Sequence, residues 1–147
     1  MTHRKTIRTA LAALALASSL GARAGSPTQD YVLECMGCHG VDGRGIAGRV
    51  PPLEHAFARF MRTAPGRDYV LRVPGAANSS LSDAQLAAVL NWIAERFDAE
   101  DLTSDTPRFT AEEVTRARRK PLPSVLAQRR EVVRGLTSTG TAPPLEY

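Results

Sequence analysis

Thiols and imidazoles are scarce here: two cysteines and three histidines in 147 residues. One CxxC pair and no second excludes the usual four-ligand structural zinc site, because His55 is the only other nitrogen ligand beyond the first 24 residues. A βαβ pattern is missing around the pair, which removes the usual setting of a thioredoxin-like redox motif. Nothing in the sequence marks a single activated thiol with a partner histidine, so a nucleophilic cysteine is unsupported. A disulfide between Cys35 and Cys38 would close over two residues and constrain almost nothing in the unfolded chain. No run of alternating apolar and polar residues reads as a sheet. A basic field is absent too. Arg4, Lys5, Arg8 and Arg23 account for the whole net charge of +4, since no acid precedes Asp30. Without those four, 15 of the 19 Lys and Arg remain against 15 Asp and Glu. That balance gives no reason to expect nucleic acid or an anionic membrane as partner.

Residues 1–24 read as an export leader. Basic residues open it, "ALAALALASSL" supplies a short apolar run, and "ARA" ends at Ala24. The run is too short for a roughly 20-residue membrane span, and Arg23 closes it. Cleavage after Ala24 predicts a periplasmic protein of about 123 residues with no stable membrane span. Everything after it reads as all-α, with three to five helices. "SPTQDYVLECMGCHG" predicts a first helix capped by Ser26 or Thr28, with Pro27 in its first turn. "GVDGRGIAGRVPP" is loop. Leu53, Phe57, Phe60 and Met61 recur at helical spacing, and a further loop around "APGRD" and "RVPGAANSS" holds at most a helical turn at "DYVLR". "LSDAQLAAVLNWIAERF" opens on a capping box, Ser82 with Gln85, and carries the stripe Leu86, Val89, Leu90, Ile93, Phe97. After Phe97 come an acidic linker, a segment boxed by Thr110 and Glu113, breaks at Pro121 and Pro123, and a last helical stretch from Ser124.

Covalent haem accounts for the order of residues in "CMGCH". Two thiols one helical turn apart add to the two vinyl groups of one haem, and His39 next to the second reaches the iron. A large apolar cofactor also supplies core to a segment, 25–97, that is small for an independent fold. The stretches "ECMGCHGVDGRG", "VPPL" and "LSDAQLAAVLNWI" together resemble a class I c-type cytochrome over residues 26–97. The resemblance implies one haem c, thioethers at Cys35 and Cys38, and His39 as proximal iron ligand. It further implies a Pro51 or Pro52 carbonyl on the His39 ring, and first and last helices that cross, with Tyr31 or Val32 against Val89, Leu90 and Ile93. In that family the sixth ligand is usually a methionine before the last helix, and here "RDYVLRVPGAANSSLSD" has none. Met61 is then the tentative distal ligand, with His55, Asn78 or an unfilled position as alternatives. The division expected is a leader at 1–24, a cytochrome domain at 25–97 and an extension at 98–147. The extension carries eight acids and eight bases and reads as a wrap over the domain's own surface, with a docking arm for a redox partner as the alternative, and its basic clusters as solvated helix faces. Arg44, Arg49, Arg59, Arg62, Arg67 and Arg72 stand as candidates for the haem propionates, most of them read as solvated surface charges. The function implied is one-electron transfer with redox proteins as partners, without catalysis. The rivals are a small-ligand sensor or peroxidase-like protein with an open distal face, and a thiol redox protein.

Overall fold

The computed structural model describes residues 25–137. The expected leader and the last ten residues lie outside it. Its helices are α1 (Pro27–Glu34), α2 (Met36–His39), α3 (Phe57–Met61), α4 (Ala64–Arg72), α5 (Pro74–Ala77), α6 (Asp83–Phe97), α7 (Ala111–Ala117) and α8 (Val125–Thr137), with a 3-10 turn at Ala99–Asp101. Among the described residues the only β pairing is an isolated bridge between Ile46 and Val50. The all-α expectation holds, but the described helices outnumber the three to five expected.

Ser26 starts α1. Its hydroxyl takes the Gln29 N–H, the Gln29 side chain returns to the Ser26 N–H, and Pro27 fits the first turn. The single helix expected through His39 breaks at Cys35, whose φ is −122°, and restarts as the one turn of α2. Ser82 and Gln85 form the same reciprocal box at α6, and its whole predicted stripe is buried. α1 and α6 pack together, as expected. Tyr31 shares one buried cluster with Val89, Leu90 and Ile93 and also meets Trp92 and Phe97, ring centroids 5.3 and 5.2 Å away, while Val32 is 46% exposed.

The helix α4 is a correction to the sequence reading, which saw loop at Pro65 and Gly66. Thr63 caps it through the Gly66 N–H, and a proline in the first turn loses no intrahelical bond. Gly66 is there for space: a Cβ would run into the Phe60 carbonyl oxygen. The helix stops at Arg72 because Val73 precedes Pro74, which drives it to extended backbone (ψ 140°).

The chain after Phe97 folds back over α3, α4 and α6. Phe109, Val114, Val132, Val133 and Leu136 are buried in one cluster with Phe57, Met61, Leu71 and Leu90. Each such side chain contributes about 1.5–3 kcal/mol by leaving water. α7 lies on α6, and α8 on α4. The basic residues of this stretch are not uniformly solvated, as the sequence had suggested. Arg129 is 5% exposed and stands over the Phe60 ring, and Arg118 is largely covered. Arg67 is buried and anchors the wrap, reaching Glu113, Pro107 O and Arg108 O. Glu113 thereby leaves its capping box half made: Thr110 accepts the Glu113 N–H, but the carboxylate faces Arg67. Arg59 and Arg62 bond Asp101, and Arg72 reaches Lys120 O and Pro121 O. Four of the six arginines considered for propionates therefore tie the extension down.

Asp98 caps this join. It accepts the Ala58 N–H at 2.6 Å, while its second oxygen is buried without a partner. Burial pushes its carboxyl up to about 6; the Ala58 N–H and Arg59 pull the other way, and Asp101 adds to the rise. In the unfolded chain an aspartate titrates near ~3.9, so between the two values the folded form holds more protons. Stability is then expected to fall as pH rises from about 4 to about 6, and to be flat in this respect above that. Asp98→Asn keeps an acceptor for Ala58 and removes the buried charge. It is expected to abolish that slope and to gain about 1–2 kcal/mol at pH 7, read from urea unfolding at pH 4.5 and 7.

Candidate haem-attachment site

Cys35 and Cys38 lie at either end of one turn, the Cys38 N–H bonding Cys35 O at 3.2 Å and the His39 N–H bonding the same oxygen at 3.0 Å. Both are free thiols, Cys35 half-buried and Cys38 exposed. Burial, with Glu34 and Asp30 nearby, pushes the Cys35 thiol up to about 11. A redox or nucleophilic cysteine needs the opposite shift, since the thiolate is its reactive form. Among the described residues no group of three or more His, Cys, Asp or Glu is placed to hold a metal ion.

His39 presents one nitrogen. Its Nδ1 lies 3.1 Å from the Pro51 carbonyl oxygen, and a carbonyl only accepts, so Nδ1 carries the proton. Nε2 is left as a lone pair. Burial lowers the imidazole's pKa against the opposing Pro51 bond, which keeps the ring neutral. The carbonyl expected at Pro51 or Pro52 is thus found at Pro51, and this bond fixes the ring's tautomer and direction. Tyr31 braces the turn from α1, its hydroxyl donating to Gly40 O at 2.6 Å. That buried hydroxyl's pKa is pushed up to about 12, first by burial and then by Cys35 and Asp42.

The glycine loop carries Pro51 to His39. Gly45 sits at φ +70°, donates to His39 O at 2.8 Å, and has the Val50 and Pro51 carbonyls where a Cβ would lie. Gly43, at φ +75°, is pressed against the Phe97 ring and accepts the Leu53 N–H at 2.7 Å. Gly45→Ala is expected to cost at least about 2 kcal/mol, through the left-handed backbone and the displaced carbonyls. It should also loosen the His39 Nδ1–H bond. Thermal unfolding and the NMR signal of that ring proton check the two effects separately.

These residues fit a covalently held haem. Two unpaired thiols stand one turn apart, a neutral imidazole beside them offers its lone pair, and apolar side chains nearby stay uncovered. Among the described residues, Val32, Leu33, Val41 and Ile46 are four of the five large hydrophobics left exposed, and all lie within 14 residues of one another around Cys35–His39.

The remaining candidates fall elsewhere. Met61 is 0% exposed at the end of α3, and its carbonyl accepts from Arg67. His55 has an exposed ring 3.6 Å from Glu54, and its backbone N–H bonds Phe97 O. Asn78 is exposed at the end of α5. The sequence reading missed Arg118, which holds the stretch before α6. Its guanidinium donates to Ala77 O, Ser79 O and Leu81 O and pairs with Asp83 at 2.8 Å. No local signal separates it from Arg116 or Arg119; only the fold does.

A helical chain built around CxxCH, with the histidine held by a carbonyl 12 residues on, belongs to the cytochrome c family, and the family model for cytochrome c matches residues 29–96. The chain is similar to a cytochrome c-552 of Thermus thermophilus, 35% identical over 143 positions that take up 83% of this chain and 91% of the relative. A second Thermus thermophilus cytochrome c-552 is 36% identical over 120 positions, 67% of this chain and 91% of its own. Since 83% of 147 residues is about 122, roughly 21 of the 143 positions have no counterpart here. The protein is an electron-transfer cytochrome carrying haem c, and its partners are redox proteins. Among the described residues no helix is long and apolar enough to cross a membrane.

Proposed function

We propose that this protein is exported to the periplasm and carries one electron at a time between other redox proteins, without chemistry on a substrate of its own. The His39–Pro51 bond beside two free thiols is the observation that carries the reading. Each thiol would add across a vinyl group of haem, sulfur to one carbon and its proton to the neighbouring carbon, so that attachment would need no oxidant. When bound, haem supplies one iron that takes up and gives back a single electron. Cys35 and Cys38 would hold the porphyrin, His39 would offer its free Nε2 to the iron, and Pro51 keeps the His39 ring from turning. Residues 25–97 form the haem domain and 98–147 its extension, whose described part lies over the domain as a wrap. Val41 and Ile46, exposed beside Cys38, offer the apolar surface across which the electron passes to a partner.

The test is a redox titration of the protein made in a host with haem-attachment machinery, with its mass and its cellular fraction determined. One covalent haem, a reversible one-electron wave and recovery from the periplasm in a form starting at Gly25 are expected. A chain without covalent haem, or one with its two cysteines merely disulfide-linked, overturns the reading.

A further inference from the structure

This inference rests on the haem assignment above and concerns the iron's second axial position. Low-spin iron needs a strong-field donor there: a histidine, a methionine, a lysine or a thiolate. Residues 25–137 contain few: His39, His55, Met36, Met61, Lys120 and the two cysteines. The cysteines and His39 are engaged by attachment and proximal ligation. Met36 stands between the cysteines, partly buried against the edge of the core.

Met61 is the only buried candidate, and its burial argues against it. A sulfur that binds iron must border the space the porphyrin occupies, so without haem it would be open to that space. Met61 is 0% exposed and belongs to the buried cluster that includes Phe57, Phe60, Leu71 and Val133. It fills core, as flexible thioethers commonly do. His55 follows Pro51, whose carbonyl holds the side of the His39 ring turned away from the iron. Its own backbone is held to Phe97 O, and its ring lies in solvent beside Glu54. Lys120 is exposed, and its carbonyl is engaged by Arg72. The stretch before α6 offers only Asn78 and serines, which are weak-field donors. Arg118 pins three of its carbonyls, 77, 79 and 81.

We infer that no side chain of residues 25–137 ligates the iron opposite His39, and that this position is a binding site for a neutral diatomic ligand of the π-acceptor class. CO and NO are such ligands. Ferrous iron binds them by donation from the metal, and an uncharged molecule needs no counter-charge from the protein. Ligand binding and electron transfer are then coupled: the occupant stabilises the ferrous state and raises the potential.

The experiment uses the mature haem-loaded protein with CO as probe. Optical and resonance Raman spectra are recorded oxidised, reduced, and reduced under CO, for wild type, Met61→Leu, His55→Ala and Met36→Leu. High-spin ferrous iron that takes up CO in the wild type, with the same spectra in all three variants, is the expected result. A low-spin, CO-indifferent wild type overturns the inference, and the variant that turns high-spin names the ligand. Persistence of low-spin iron in every variant overturns it equally and points to a donor outside this set. These failures leave covalent haem in place, by mass. Failure of the haem reading itself shows as its absence.

Discussion

Replacing both Cys35 and Cys38 by alanine is expected to give a colourless chain with the mass of bare polypeptide, even from a host that attaches haem. Each thioether needs a thiol, and the described chain offers no other. The single variants should retain haem on one bond, with lower yield. The double variant should also lose stability. Val32, Leu33, Val41 and Ile46 are already exposed around the site, and without haem nothing covers the face between them. The expected loss is about 3 kcal/mol, or on the order of 10 °C in the unfolding midpoint for a chain of this size. Mass spectrometry and thermal unfolding read both effects. A double variant that keeps covalent haem would refute the attachment site.

Arg67→Ala is expected to loosen the extension from the haem domain and to cost about 3–5 kcal/mol. The guanidinium is buried, holds both Glu113 oxygens at 2.8 and 2.5 Å, and lies 4.4 Å from the Phe109 ring centroid. It also satisfies Met61 O, Pro107 O and Arg108 O. Truncation strands three carbonyls and a partly covered carboxylate at once. Arg67→Lys should recover little, because an ammonium cannot reproduce the planar fork. Arg108→Ala is the control: its pair with Glu95 is half-exposed on both sides, and its loss should cost under about 1 kcal/mol. Urea midpoints compare the three. Equal losses for Arg67→Ala and Arg108→Ala would show that the wrap is held by its apolar residues alone.

Much of the fold was legible because it is written in local terms. The cap offered at Ser26 or Thr28 and the box at Ser82 are short-range signals, and the α6 stripe needs only helical period to be recognised. α4 was missed for the reason that makes such signals fallible: Pro65 and Gly66 are loop-like on average, yet suit a first turn once Thr63 caps it. The arginines were misread for a different reason. A guanidinium's worth depends on whether carbonyls from distant segments surround it, and Arg67 meets partners about 40 residues away. The Pro51 carbonyl on His39, by contrast, came from the resemblance rather than from any local pattern.

The sequence alone determined the chemistry that is covalent or short-range: two thiols one turn apart, a histidine beside them, glycines where the loop requires positive φ, and the absence of a methionine between Arg62 and Phe97. Tertiary structure decided what depends on enclosure. It turned His39 so that Nδ1 meets Pro51, sealed Met61 inside the core, left His55 in solvent, and drew Arg67 and Arg118 into the binding of the extension. Donor identity is a property of a residue, but whether that donor reaches an iron depends on what packs around it, and packing is settled by the whole chain.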